Sequence, residues 1–178
     1  MKSTRGQLLI ASPHLPDPNF AHTIVLIVRH DEEAIVGLVV NRPLELTVEE
    51  ACQGQVEEAV GVDQPIYQGG PCPGPLMVVH GAEDAEGAAI ADGIHFTAQR
   101  DEIEGLMSAR VSPIKYFANY SGWDAGQLER EIAEGSWVLT KATPAEVFAT
   151  DEEQWEKLRM RVTLGIDPRK MPEDPSVN

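Results

Sequence analysis

Three aliphatic runs dominate the start of the chain, at residues 7–11, 23–29 and 34–41. Their continuous or alternating β-branched and aliphatic side chains predict strands. Between the last two runs lies His30-Asp31-Glu32-Glu33, a polar break of hairpin length. Both of these strands are apolar on each face, which predicts a central hairpin over 23–41 covered from two sides. Residues 12–19 carry three prolines and predict an irregular loop. Loops held on a rigid frame carry function more often than strands do.

Further along, Thr47-Val48-Glu49-Glu50 has the form of a capping box and predicts a helix to about Val60, weakened by Gly54. Residues 66–68 and 76–80 read as short strands joined by a Gly- and Pro-dense turn over 69–75. Asp92-Gly93 is a hairpin dipeptide inside 88–96. Residues 98–109 read as a helix with Ile103, Leu106 and Met107 on one side, and 113–120 return to β character. Asp124 is placed to cap a helix in which Gln127 sits three residues on, Leu128 and Ile132 face inward and Gly135 is the stop. A strand over 136–141 and a short helix opened by Pro144 follow. Asp151 then caps a final helix whose Trp155, Leu158 and Val162 share a face, ending at Gly165. Pro168, Pro172 and Pro175 make 166–178 a flexible tail. The expected architecture is α+β: one compact domain over 1–165, with a mixed, mainly antiparallel sheet flanked by helices.

At 178 residues the chain can bury a sizeable core without disulfides or metal. Charge narrows the function. Twenty-nine acids against 14 bases leave −15, which disfavours nucleic acid and an anionic membrane as partners. Between Arg42 and Arg100 there are ten acids and no Lys or Arg. A solvated acidic surface explains them most simply, and a face that docks a basic protein is the functional reading. Lys157, Arg159, Arg161, Arg169 and Lys170 cluster near the end, where they complement a helix dipole. No apolar run approaches the ~20 residues of a membrane span or forms a signal-peptide core, so a cytoplasmic protein is expected. Cys52 and Cys72 form no CxxC pair, which argues against structural zinc. His22 and His30, eight apart along a strand, would stand about 26 Å from one another and share no ion. No metal and no cofactor are expected.

The segment 20–31, Phe-Ala-His-Thr-Ile-Val-Leu-Ile-Val-Arg-His-Asp, continues through Gly37-Leu38-Val39-Val40-Asn41-Arg42-Pro43. With Gly6-Gln7-Leu8-Leu9-Ile10-Ala11, Gly69-Gly70-Pro71, Gly122-Trp123, Gly126-Gln127-Leu128-Glu129 and Trp137, it resembles the YqgE/AlgH family of bacterial proteins up to about Gly165. The resemblance implies a single-domain α+β fold with mixed sheets and flanking helices. Some members carry the label of transcriptional regulator, without an agreed DNA-binding element, and the family supplies no catalytic residue to transfer. This chain departs from the family pattern at Cys72, Ser121 and Asp124, which weakens any mechanism resting on Cys72 or Ser121.

The motifs themselves offer little reactive chemistry. In Asn41-Arg42-Pro43 the Asn and Pro suit a turn, while Arg42 suits an internal ion pair or a ligand carboxylate. Gly69-Gly70-Pro71 lacks the successive N–H donors and the GK[ST] of a phosphate loop, and reads as a tight turn. Cys72 would need a neighbouring cation or helix start to become reactive, with His80 the nearest candidate in sequence. Ser121 sits outside the G-x-S-x-G elbow pattern. Trp123 reads as a packing anchor, or as a stacking surface if partly exposed. The expectation is a non-enzymatic cytoplasmic regulatory or adaptor domain binding a protein partner or small ligand. Its candidate site comprises Asn41, Arg42, Pro43, Gly69, Gly70, Cys72, Gly122, Trp123 and Gln127. The alternatives are a thiol- and histidine-assisted hydrolase using Cys72 and His80, and a transcriptional regulator that binds DNA directly.

Overall fold

Two β-sheets face one another, and helices cover the outer face of each. The structure, a computed structural model, describes residues 2–165. The first sheet contains β1 (Gln7–Ala11), β2 (Ile24–His30), β3 (Ala34–Val39), β10 (Ser121–Asp124) and β11 (Trp137–Lys141) in the order β10-β3-β2-β1-β11. Every pairing in it is antiparallel. The second sheet runs β4-β5-β9-β6-β8-β7. Its strands are β4 (Pro43–Thr47), β5 (Pro65–Gln68), β6 (Met77–His80), β7 (Ala88–Ala91), β8 (Ile94–Thr97) and β9 (Ile114–Ala118). Only the β5–β9 pairing in this sheet is parallel. The expected α+β fold with mainly antiparallel strands is observed, arranged as two sheets.

Strand periodicity sorts the core into three packed zones. On β2, Ile24, Leu26 and Val28 point between the sheets, where they meet Tyr67, Val79 and Phe117. Val25 and Ile27 point outward with Leu9, Ile35 and Trp123. Since side chains alternate along a strand, a continuous apolar run marks burial on both faces, as expected for the 23–41 hairpin. The outer face of the second sheet packs Val78, Ile114 and Tyr116 against Ile103, Leu106 and Met107 of α2 (Arg100–Ser108) and Val48 of α1 (Val48–Cys52). Leu128 of α3 (Gln127–Ala133) covers the outer face of the first sheet. The inter-sheet core is closed at one end by α4 (Pro144–Val147) and α5 (Gln154–Leu164), with Leu158 buried and Trp155 and Val162 packed beside it.

Four sequence expectations need correction. The helix after Thr47 keeps its capping box but stops at Cys52, because Gln53 and Gly54 both adopt left-handed backbone conformations. The 3₁₀ turn Glu57–Ala59 replaces its continuation. The Gly–Pro segment 69–75 closes no hairpin, since β9 lies between β5 and β6. Asp124 caps no helix: it ends β10, and Gly126 takes the N-cap of α3. Glu153, not Asp151, is the N-cap of α5, although the Asp151 carboxylate accepts the Glu153 N–H at 2.9 Å. The expected tail over 166–178 lies outside the described residues.

Candidate functional site

Asn41 acts as a piece of backbone at the end of the hairpin. Its Oδ1 accepts the Ile24 N–H and its Nδ2 donates to the His22 carbonyl, each at 2.9 Å. Arg42, expected in an internal ion pair or on a ligand carboxylate, makes no ion pair among the described residues. Its guanidinium donates to the carbonyls of Pro18 at 3.2 Å, Ala21 at 2.9 Å and Asn19, strapping the Pro-rich loop to the strand end. Partial burial lowers its pKa.

Gly69 and Gly70 are crossing points. The Gly69 N–H donates to Ala118 O at 2.9 Å, and its carbonyl accepts from Val39 N–H at 2.9 Å and from Ser121 Oγ at 3.0 Å. A Cβ at Gly69 would collide with the Asn119 carbonyl, and one at Gly70 with the backbone of Tyr120. Two reciprocal 2.9 Å backbone bonds then tie Cys72 to Tyr120. Gly122 lies beside this bridge: a Cβ there would stand 3.9 Å from the Cys72 sulfur. His80 is fully buried and stacks on His95 at 5.2 Å. Its Nδ1 accepts the Ala82 N–H at 3.2 Å, which leaves Nε2–H to donate to the Glu86 carbonyl at 2.6 Å. Both ring nitrogens are thereby engaged by backbone. Burial also lowers its pKa. The buried Ser121 hydroxyl is likewise engaged, by the Gly69 carbonyl.

Trp123 and Gln127 lie on the far side of the first sheet. The Trp123 and Trp137 indoles donate to one Glu131 oxygen at 2.9 and 2.8 Å, while Gln127 Nε2 donates to the other at 3.0 Å. Phe20 packs against both indoles. Trp123 is buried, so the packing role is the one observed. The three turns proposed as one site are thus joined by backbone bonds from 42 to 68, 69 to 118 and 72 to 120, while Trp123 packs into the cluster on the outer face of the first sheet.

On the inner side, Asn41 and Pro43 border a cavity of about 270 Å³, with Tyr67, Gln154 and the loop 149–152 completing its wall. Beneath it lies a residue that the motif reading missed. Lys115 is 3% exposed on the inter-sheet face of β9, and its Nζ donates to Val40 O at 2.8 Å and Ala149 O at 2.6 Å. The same ammonium sits 4.4 Å from the Tyr67 ring centroid. Burial pushes its pKa down to about 7. The signal was available: Lys115 shares strand parity with Phe117 inside an otherwise apolar run. Gln154, 7% exposed, was missed because polar residues at helix starts are common.

The basic residues of α5 are tied down locally. Lys157 pairs with Asp151 at 2.5 Å and Glu153 at 3.2 Å, Arg161 pairs with Glu146, and Arg159 lies 5.3 Å from the Trp155 ring. Arg169 and Lys170 lie outside the described residues. Among the described residues, no helix is long and apolar enough to cross a membrane, and no cluster of three His, Cys, Asp or Glu is arranged to hold a metal.

Comparison with known proteins places this arrangement. The AlgH-like family profile matches residues 8–168. The chain belongs to the AlgH-like family. A UPF0301 protein of Chlorobaculum tepidum is 36% identical over 159 residues, covering 85% of this chain and 83% of the relative. A UPF0301 protein of Streptomyces avermitilis is 34% identical, covering all of this chain and 97% of its own. The solution structure of the AlgH protein from Pseudomonas aeruginosa superposes with a TM-score of 0.74 at 28% identity, covering 93% of this chain and 91% of that one. The AlgH-like assignment agrees with the motif resemblance, and the similar AlgH structure supports the two-sheet α+β fold.

Proposed function

We propose that this AlgH-like protein is a non-enzymatic, cytoplasmic regulatory or adaptor domain that responds to a small ligand held between Asn41-Pro43 and the 149–154 loop. One observation carries the reading: a cavity at the junction of both sheets and the α4–α5 loop is walled by polar groups and underlain by a buried lysine. Pockets with a few converging polar groups at element junctions are the usual place for a ligand. The candidate base His80, in contrast, has both ring nitrogens engaged by backbone, and the Ser121 hydroxyl donates to the Gly69 carbonyl.

The test is to release small molecules from the purified full-length protein by heating and identify them by mass spectrometry, alongside a panel of activated ester and thioester substrates. The expected result is a recurrent non-covalent ligand, lost in Tyr67→Ala, and no turnover above background. Turnover abolished by Cys72→Ala would replace the reading with the hydrolase. Duplex DNA binding that weakens steeply with salt would replace it with direct transcriptional control.

A further inference from the structure

Three acids and two alanines, residues 82–86, form the loop between β6 and β7, bounded by Gly81 and Gly87. Among the described residues its backbone makes one internal bond, from Ala85 N–H to Ala82 O at 3.4 Å, and Ala85 rests on the core beneath α2. The remaining fastening comes from one side chain. His80 shares strand parity with Val78, which packs on α2, and is fully buried. Its Nδ1 accepts the Ala82 N–H at 3.2 Å and its Nε2–H donates to the Glu86 carbonyl at 2.6 Å, so one ring clasps the loop at both ends. The chain fits closely around it: Gly87 takes φ 122°, and a Cβ there would stand 3.1 Å from Nε2.

This clasp works only with a neutral imidazole. A backbone N–H can only donate, so Ala82 requires a bare lone pair at Nδ1. The proton that makes the ring cationic adds at that same atom, and two N–H groups then oppose one another. The Glu86 end survives, because the cation still donates from Nε2. The neighbours do not reverse this. His95 of β8 stacks on the ring at 5.2 Å and 13°. From β9, Ile114 lies opposite His80, and the phenol of Tyr116, pushed up to about 12, stays neutral. Lys115 points away, into the space between the sheets. Glu102 of α2 already accepts the Thr97 hydroxyl, and Glu83, Asp84 and Glu86 are exposed. Burial, helped by His95, holds the His80 pKa below the ordinary imidazole value against the pull of the Glu86 carbonyl and Glu102. Once the loop opens, the ring meets water and titrates near ~6.5. The open form therefore takes up the proton first as pH falls. Between the two pKa values the opening equilibrium shifts by up to about tenfold per pH unit.

We propose that His80 is an acid-released latch: protonation at Nδ1 expels the Ala82 N–H and frees residues 82–86 from the second sheet, while the first sheet stays closed. Residues 83–86 also form one wall of a cleft of about 500 Å³ against Gly105, Leu106 and Val111, so their release opens that cleft on one side.

The experiment follows amide hydrogen exchange and the His80 ring nitrogen resonances of the full-length protein at pH 7.5, 6.5 and 5.5. Each exchange rate is divided by its value for an unstructured chain at the same pH. At pH 7.5 Nδ1 should be bare and Nε2 protonated; the reverse tautomer would overturn the proposal. Protection of the Ala82 amide should fall at least threefold from pH 7.5 to 5.5, while the Leu9 and Val25 amides of the first sheet keep theirs. His80→Gln keeps a donor for the Glu86 carbonyl but no titrating nitrogen, and its Ala82 protection should not vary over this range. Ala82 protection independent of pH in the wild type, a fall shared equally by Leu9 and Val25, or an equal fall in His80→Gln would each sink the latch. The first two of these outcomes are read on the wild type alone, so the proposal stays testable even if the variant does not fold.

Discussion

Glycines at 70 and 105 impose opposite constraints on the chain. At Gly70 the backbone of Tyr120 passes so close that no Cβ fits, whereas at Gly105, in the middle of α2, a Cβ would meet nothing within 4 Å. Gly70→Ala is therefore expected to destabilise by about 1–3 kcal/mol through forced overpacking. Gly105→Ala should stabilise by about 0.5–1 kcal/mol, because alanine loses less backbone entropy in a helix. Urea unfolding midpoints check both signs, and a destabilised Gly105→Ala would refute the second. Neighbouring letters revealed Gly70 as a turn residue but not what crosses it, because Tyr120 comes from fifty residues later. Glu131 was equally illegible: its two indole donors come from Trp123 on one strand and Trp137 on another.

Local chemistry made most elements legible. The Thr47 capping box, the Asp92-Gly93 hairpin and the Pro144 helix start all formed where the sequence placed them. Strand β10 escaped notice because Ser-Gly-Trp-Asp has little strand character by itself; pairing Trp123 opposite Ile35 defines it. Gln127 still reaches back, accepting the Asp124 N–H at 3.2 Å, so the capping signal was real while the cap residue was wrong. Arg42 shows how an element's end can hold a loop without regular structure. Arg42→Met removes the charged donor from three carbonyls of the segment 18–21 and should cost about 1–2 kcal/mol, since charge-assisted bonds are worth more than neutral ones but this loop is partly solvated. Limited proteolysis should then cut within 12–22 faster than in wild type. Arg42→Lys should restore only part of the protection, because an ammonium cannot span the carbonyls as a planar fork does. Equal cleavage rates in all three proteins would show that the strap is dispensable.

Lys115 works at the scale of the whole molecule, because its two carbonyl partners belong to the end of the first sheet and to the α4–α5 loop, while it is itself rooted in the second sheet. Its amine titrates near 10.5 when unfolded and at about 7 when buried in the folded chain. Between those values the unfolded state binds the proton and the folded state has released it, so stability rises with pH across that window. Below about pH 7 both states are protonated and the desolvation penalty is present in full. Above it the penalty fades. Cys52 and Tyr67 act in the opposite sense at higher pH, since burial raises both and folding holds them neutral. From pH 7 to 8.5 the lysine dominates. His80, also lowered by burial, adds a small rise near pH 7 and the unfolded Cys52 thiol a small fall near pH 8.5, so the difference between wild type and Lys115→Met isolates it. Over this interval, unfolding free energy should increase by about 1–2 kcal/mol, given ~1.4 kcal/mol per pH unit for one fully released proton. Lys115→Met should flatten that rise, whatever its effect on absolute stability from leaving Val40 and Ala149 carbonyls without a donor. Urea titrations at pH 7.0, 7.75 and 8.5 measure the slope in both proteins, and an equal slope would show that the proton is released elsewhere.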